Sequence, residues 1–153
     1  MKTAILLLVI LLSSCCDQSW VSNYVHDDFV LNDRKCVLVH PKSAPNGEWI
    51  VRPAFIGEFS QVDDSLLAKG YTMAYYDVTN DYGSYRAQEY FYQFYELVRD
   101  KYHLNKKFII EGLSRGGYFA LSFAENHPEC IEKIYIDAPV CDLYSWPLKQ
   151  DSI

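Results

Sequence analysis

Along the second half of the chain the apolar positions change period repeatedly. Tyr71–Val78 is a short, nearly continuous apolar run that predicts a buried strand. From Ser84 to Tyr102 the spacing becomes helical, with Ala87, Phe91, Phe94, Val98 and Tyr102 on one face. Lys107–Gly112 reads as extended again. Arg115–Asn126 reads as helix, stopped by Pro128 two residues on. Ile131–Asp137 is a final strand. Strands alternating with helices predict a parallel sheet with crossover helices. The first half differs. Phe29–Leu31, Lys35–His40 and Trp49–Phe55 are short extended segments, and Pro41–Glu48 between the last two holds Pro45, Asn46 and Gly47, which is turn chemistry. They suit an antiparallel start to the same sheet. Val62–Lys69 is a short helix closed by Gly70.

The N-terminus carries a different signal. Lys2 precedes the apolar run Ala4–Leu12, and small residues lead to Cys15 in Leu12-Ser13-Ser14-Cys15. The run falls well below the roughly 20 residues that span a bilayer and fits a signal-peptide core. The ending resembles a bacterial lipobox, which implies cleavage before Cys15, a lipid on its sulfur, and a location in the cell envelope; an ordinary secretory signal is the plainer alternative. The expected organisation is a signal peptide over 1–14, a lipidated N-terminus and tether over 15–25, and a single domain over 26–153.

A formal charge of −6 with no basic stripe excludes nucleic acid as an expected partner, because phosphate binding needs clustered Lys and Arg. Thirteen tyrosines suggest a stacking surface, but their helical spacing with phenylalanines favours core packing. Cys36, Cys130 and Cys141 are read as buried free thiols. Cys130 and Cys141 bracket a strand whose length keeps them beyond the roughly 7 Å a disulfide allows. No Cys or His pair in the body has metal-ligand spacing, and no metal or cofactor is expected.

Chemistry is concentrated in Gly112-Leu113-Ser114-Arg115-Gly116-Gly117, a G-x-S-x-G between the strand F-I-I-E-G and the helix R-G-G-Y-F-A-L-S-F-A-E. Strand, tight turn and helix are the setting of a nucleophile elbow. Ser114 sits on a turn too sharp for ordinary backbone angles. Gly112 and Gly116 supply the missing bulk on either side, and Gly117 lets the helix lie close to the strands. The hydroxyl then stands over a helix N-terminus, where free N–H groups favour developing negative charge. The plainer alternative is a serine capping a helix.

Together with G-E-W-I-V-R-P-A-F-I-G, Y-D-V-T-N-D-Y-G-S and D-A-P-V-C-D-L-Y-S-W-P, this motif makes the chain resemble exported bacterial α/β-hydrolases from residue 28 onward. The S-x-G-G form is similar to the prolyl-oligopeptidase-like and esterase branch. The resemblance implies a three-layer αβα sandwich with a mostly parallel sheet, cut off after strand six. It implies hydrolysis of carboxylic esters, carbohydrate esters or peptides through an acyl-enzyme. It also implies an oxyanion hole from the backbone N–H of Arg115 and that of Phe55 or Ile56.

One part of that machinery is missing from the pattern. The resemblance implies an acid and a histidine after later strands. His127 is the sole histidine after Ser114, at the far end of the following helix, roughly 18–20 Å away at 1.5 Å per residue. A base must reach about 3 Å. His26 and His103 have no motif around them, and His40 is the least unsuitable substitute. Asp137 and Asp142 follow the last strand, where Asp137 is read as ordering the loop. Two readings stay open: part of a serine hydrolase that lacks acid and base and is inactive by itself, or a non-catalytic, membrane-anchored lipoprotein that binds a ligand or partner. In either, strand 131–137 is an expected uncovered edge prone to self-association.

Overall fold

A computed structural model describes residues 18–142 and 144. The signal-peptide region and Cys15 lie outside the described residues. The elements in chain order are α1 (Gln18–Val21), β1 (His26–Leu31), β2 (Arg34–Val39), β3 (Trp49–Arg52), α2 (Gln61–Ala68), β4 (Thr72–Tyr76), α3 (Tyr85–Tyr102), β5 (Phe108–Leu113), α4 (Arg115–Asn126) and β6 (Ile131–Asp137). They form a six-stranded sheet in the order β1-β2-β4-β3-β5-β6. β1 and β2 pair antiparallel, and β2 is antiparallel to β4. β4, β3, β5 and β6 run parallel.

Side-chain alternation along the strands divides the core in two. Cys36, Leu38, Trp49, Val51, Ala74, Tyr76, Phe108 and Ile110 face α3 and α4. Val37, Val39, Ile50, Met73 and Tyr75 face the opposite layer, where α1 and α2 contribute Trp20, Val21 and Leu67. This is the expected three-layer αβα arrangement. The helical stripe read from sequence is the buried face of α3, and Phe91 is its centre. Its ring lies 4.7 Å from Phe123, 5.0 Å from Phe119 and 6.1 Å from Tyr76. Aromatic pairs at such distances add to the burial of large apolar areas.

Several expectations shift. β3 stops at Arg52 rather than Phe55, since Pro53 has no N–H for a ladder and Phe55 has φ 56°. The first strand begins at His26, three residues earlier than expected. Within the segment expected as tether, Trp20 and Val21 pack into the core. Trp20 is buried, and both its indole N–H and the Tyr24 hydroxyl donate to Asp64 Oδ1, at 2.8 and 2.5 Å. An indole offers a large apolar face and one donor, and α2 accommodates both. Cys36 and Cys130 are buried, whereas Cys141 is exposed. β6 is the sheet edge among the described residues, and Ile134 and Tyr135 on it are 45% and 43% exposed.

Candidate active site

β5 delivers Ser114 to the C-terminal edge of the parallel strands. Its backbone takes φ 49° and ψ −118°, a region that L residues avoid. Such strain persists where the surroundings over-determine it. Here the Ser114 N–H donates to the Asp137 carbonyl at 3.0 Å. Its own carbonyl accepts from Gly117 and Val140, both at 3.0 Å. The serine is exposed and makes no side-chain capping hydrogen bond. It stands at the N-cap position of α4 with its hydroxyl uncommitted.

The three glycines are required by contact. A Cβ at Gly112 would stand 2.6 Å from Gly117 Cα and 2.8 Å from the Gly116 carbonyl oxygen. At Gly116 it would meet Ala54 Cβ at 2.9 Å, and at Gly117 Pro139 Cβ at 2.7 Å. The elbow is therefore wedged between the loop after β3 and the loop after β6.

The loop after β3 faces Ser114. Phe55, Glu58, Phe59, Leu113 and Ser114 line a depression of about 380 Å³. Phe55, Gly57 and Phe59 all have positive φ, at 56°, 83° and 51°. The Phe55 N–H has no hydrogen-bond partner among the described residues, while its carbonyl accepts from Glu58 N–H at 3.2 Å. Arg115 leans from the elbow onto this loop. Its guanidinium lies 5.5 Å from the Phe55 ring centroid and donates to Asn80 Oδ1 at 2.6 Å.

Beneath the loop lies a charge cluster that sequence reading missed. Arg52, Asp63 and Glu111 are each at most 1% exposed. Arg52 Nη1 donates to the Phe55 carbonyl at 3.2 Å and lies 3.0 Å from Asp63 Oδ2. Its Nη2 donates to the Glu58 carbonyl at 2.8 Å and to Glu111 Oε1 at 2.9 Å. Burial pushes the Asp63 carboxyl up to about 8; Arg52 pulls it back and Glu111 pushes it further. Burial thus favours the neutral form of the Asp63 carboxyl. The available signal was a charged residue inside an apolar strand run, Arg52 in W-I-V-R and Glu111 in F-I-I-E.

None of the four histidines approaches Ser114. His26 pairs with Val39, and His40 follows it, at the end of β2 beside the start of β4. His103 caps the C-terminus of α3 and His127 that of α4. All four lie at the N-terminal edge of the parallel strands, and Ser114 follows their C-terminal edge. His40 is instead paired with Asp27, at 3.2 Å. Asp137, the last residue of β6, and Asp142 beyond it are exposed.

No family model and no curated protein matches this sequence. Solved structures do. A protein from Staphylococcus aureus designated an esterase superimposes with a TM-score of 0.62 at 14% identity, over 84% of this chain and 47% of its own. A thermostable carboxyl esterase from Bacillus coagulans gives 0.55 at 15%, over 74% and 43%. An epoxide hydrolase from Vigna radiata gives 0.53 at 11%, over 76% and 40%. The chain has the α/β-hydrolase fold and spans about half the length of the structures it matches.

Proposed function

We propose that this chain carries the nucleophile half of a serine hydrolase acting on carboxylic esters, carbohydrate esters among them, or on peptides. The observation that carries the reading is Ser114, held at φ 49° on a strand-to-helix turn with its hydroxyl uncommitted. In the proposed reaction Ser114 Oγ bonds to the acyl carbon as the bond to the leaving group breaks. The hydroxyl proton passes to a base and on to the leaving group, and water then splits the acyl-enzyme. The oxyanion is stabilised by the N–H of Arg115 and a second N–H from Phe55 or Ile56. The base comes from outside this chain's histidines.

The position of those histidines also supports a second reading. A chain with the elbow but no base within reach fits a non-catalytic lipoprotein that binds a ligand or partner through the Phe55–Ser114 depression. Export and a lipid on Cys15 belong to both readings, supported by Lys2, Ala4–Leu12 and L-S-S-C.

Chemical rescue separates the two. The purified chain is incubated with p-nitrophenyl acetate and imidazole, a diffusible substitute for the missing base. The hydrolase reading expects one acetyl group on the peptide containing Ser114 and none in Ser114→Ala. Absence of the adduct at every imidazole concentration would leave the binding reading.

A further inference from the structure

We infer that Arg52 is a positioning residue: from beneath, it holds the Phe55–Glu58 loop in the shape that an oxyanion hole needs. The inference rests on the hydrolase reading for its catalytic meaning and on geometry for the rest. The loop has few means of holding itself. It lies outside the sheet ladder, and two of its non-glycine residues, Phe55 and Phe59, have positive φ. Such a residue is costly unless its surroundings impose the conformation. Arg52 imposes it. Its planar fork sends Nη1 to the Phe55 carbonyl and Nη2 to the Glu58 carbonyl, at opposite ends of one turn. With the Phe55 carbonyl drawn inward, the N–H of the same planar peptide, on Ile56, is directed the other way.

The second grip ties the loop to the nucleophile. Glu111 is on β5, three residues before Ser114, and shares Nη2 with the Glu58 carbonyl. Asp63, on α2, closes the cluster on its remaining side. One guanidinium therefore connects the proposed oxyanion loop, the nucleophile strand and the helix following the loop. A purely stabilising role explains this poorly. Burying these ions carries a desolvation cost that apolar side chains of similar volume avoid. A fork of fixed geometry supplies orientation, which apolar contacts do not.

The test uses the full chain and two variants. Arg52→Lys keeps the charge and loses the fork. The triple variant Arg52→Met, Asp63→Asn, Glu111→Gln removes all charges together, so that no lone buried ion prevents folding. Two readouts are taken on each folded variant: imidazole-assisted acetylation of Ser114, and backbone amide exchange at Ile56 and Gly57 relative to β4. We expect acetylation to fall roughly 100-fold, the loss typical of one oxyanion donor, with β4 exchange unchanged. We expect exchange in the loop to rise on the order of tenfold. If wild-type Ser114 is acetylated and both readouts stay unchanged in the variants, Arg52 does not position the loop and the hydrolase reading stands. If wild-type Ser114 is never acetylated but loop exchange rises in the variants, the grip is real and the hydrolase reading fails. Unchanged loop exchange in both variants overturns the inference in every case.

Discussion

Gly112 and Gly117 meet backbone to backbone, with space at Gly112 for a hydrogen and not for a methyl group, whose carbon would lie 2.6 Å from Gly117 Cα. Backbone on both sides leaves nothing flexible to yield. Gly112→Ala should therefore sit at the upper end of overpacking costs, about 3 kcal/mol, and lower the melting temperature by about 6–12 °C. Ser114 acetylation should fall with it, because the elbow opens to admit the methyl. A variant melting within a degree of wild type would show that the contact is relieved by a small shift.

On the proposed hydrolase reading, none of the four histidines serves as the proton acceptor, because all lie at the opposite edge of the parallel strands from Ser114. The unaided chain should not turn over p-nitrophenyl esters. His40→Ala and His127→Ala should leave imidazole-assisted acetylation of Ser114 unchanged. Spontaneous turnover abolished by Ser114→Ala would overturn this, and loss of acetylation in either histidine variant would locate the base.

Stability should depend on pH through Asp63. Burial pushes its carboxyl up to about 8 in the folded chain, far above the ordinary carboxylate range. Across that window the folded state binds the proton and the unfolded state does not. The contribution is full below the lower value, declines as pH rises, and is gone above the higher one. Asp63→Asn keeps a neutral side chain at every pH. Denaturant midpoints of wild type and variant should therefore converge near pH 4 and separate toward pH 8.5, with wild type the lower. Parallel profiles would mean that Asp63 is ionised in the folded state.

The β6 edge should drive self-association of the isolated chain. Ile134 and Tyr135 leave apolar surface beside a strand edge that no described strand covers. Sedimentation should show mass rising with concentration, and Ile134→Lys should suppress the rise. A concentration-independent monomer would mean that the edge is protected.

Lipidation of Cys15 is checked with an alkyne fatty acid in bacterial cells. We expect label in the wild type and none in Cys15→Ser. Equal label in both would move the anchor to Cys16 or dismiss it.

Much of this fold was readable because its core obeys simple periods. Phe91, Phe94 and Val98 recur at helical spacing, and α3 buries them. The elbow was readable for a different reason: only glycine fits at 112, 116 and 117, so steric necessity is written in residue type. The charge cluster was hidden because Arg52, Asp63 and Glu111 come from three separate elements, β3, α2 and β5. Strand alternation places Arg52 and Glu111 on the α2 side of the sheet, and only the folded topology brings Asp63 to them. Trp20 was misread for a similar reason. Its partner, Asp64, lies 44 positions away, and the polar residues around it suggested solvent.

The docking of Trp20 onto α2 sets a leash length. If Cys15 carries lipid, only four residues separate the anchor from a fixed point on the domain, five backbone steps that span at most about 18 Å even when fully extended. The domain would then ride close to the bilayer with its α1–α2 layer nearest the headgroups. The loop that bears Phe55 and Phe59 runs directly into α2, so the mouth of the Ser114 depression would open close to that surface. Compounds resting at the interface would meet Ser114 readily, whereas bulky polymers would have to approach it sideways through a narrow gap.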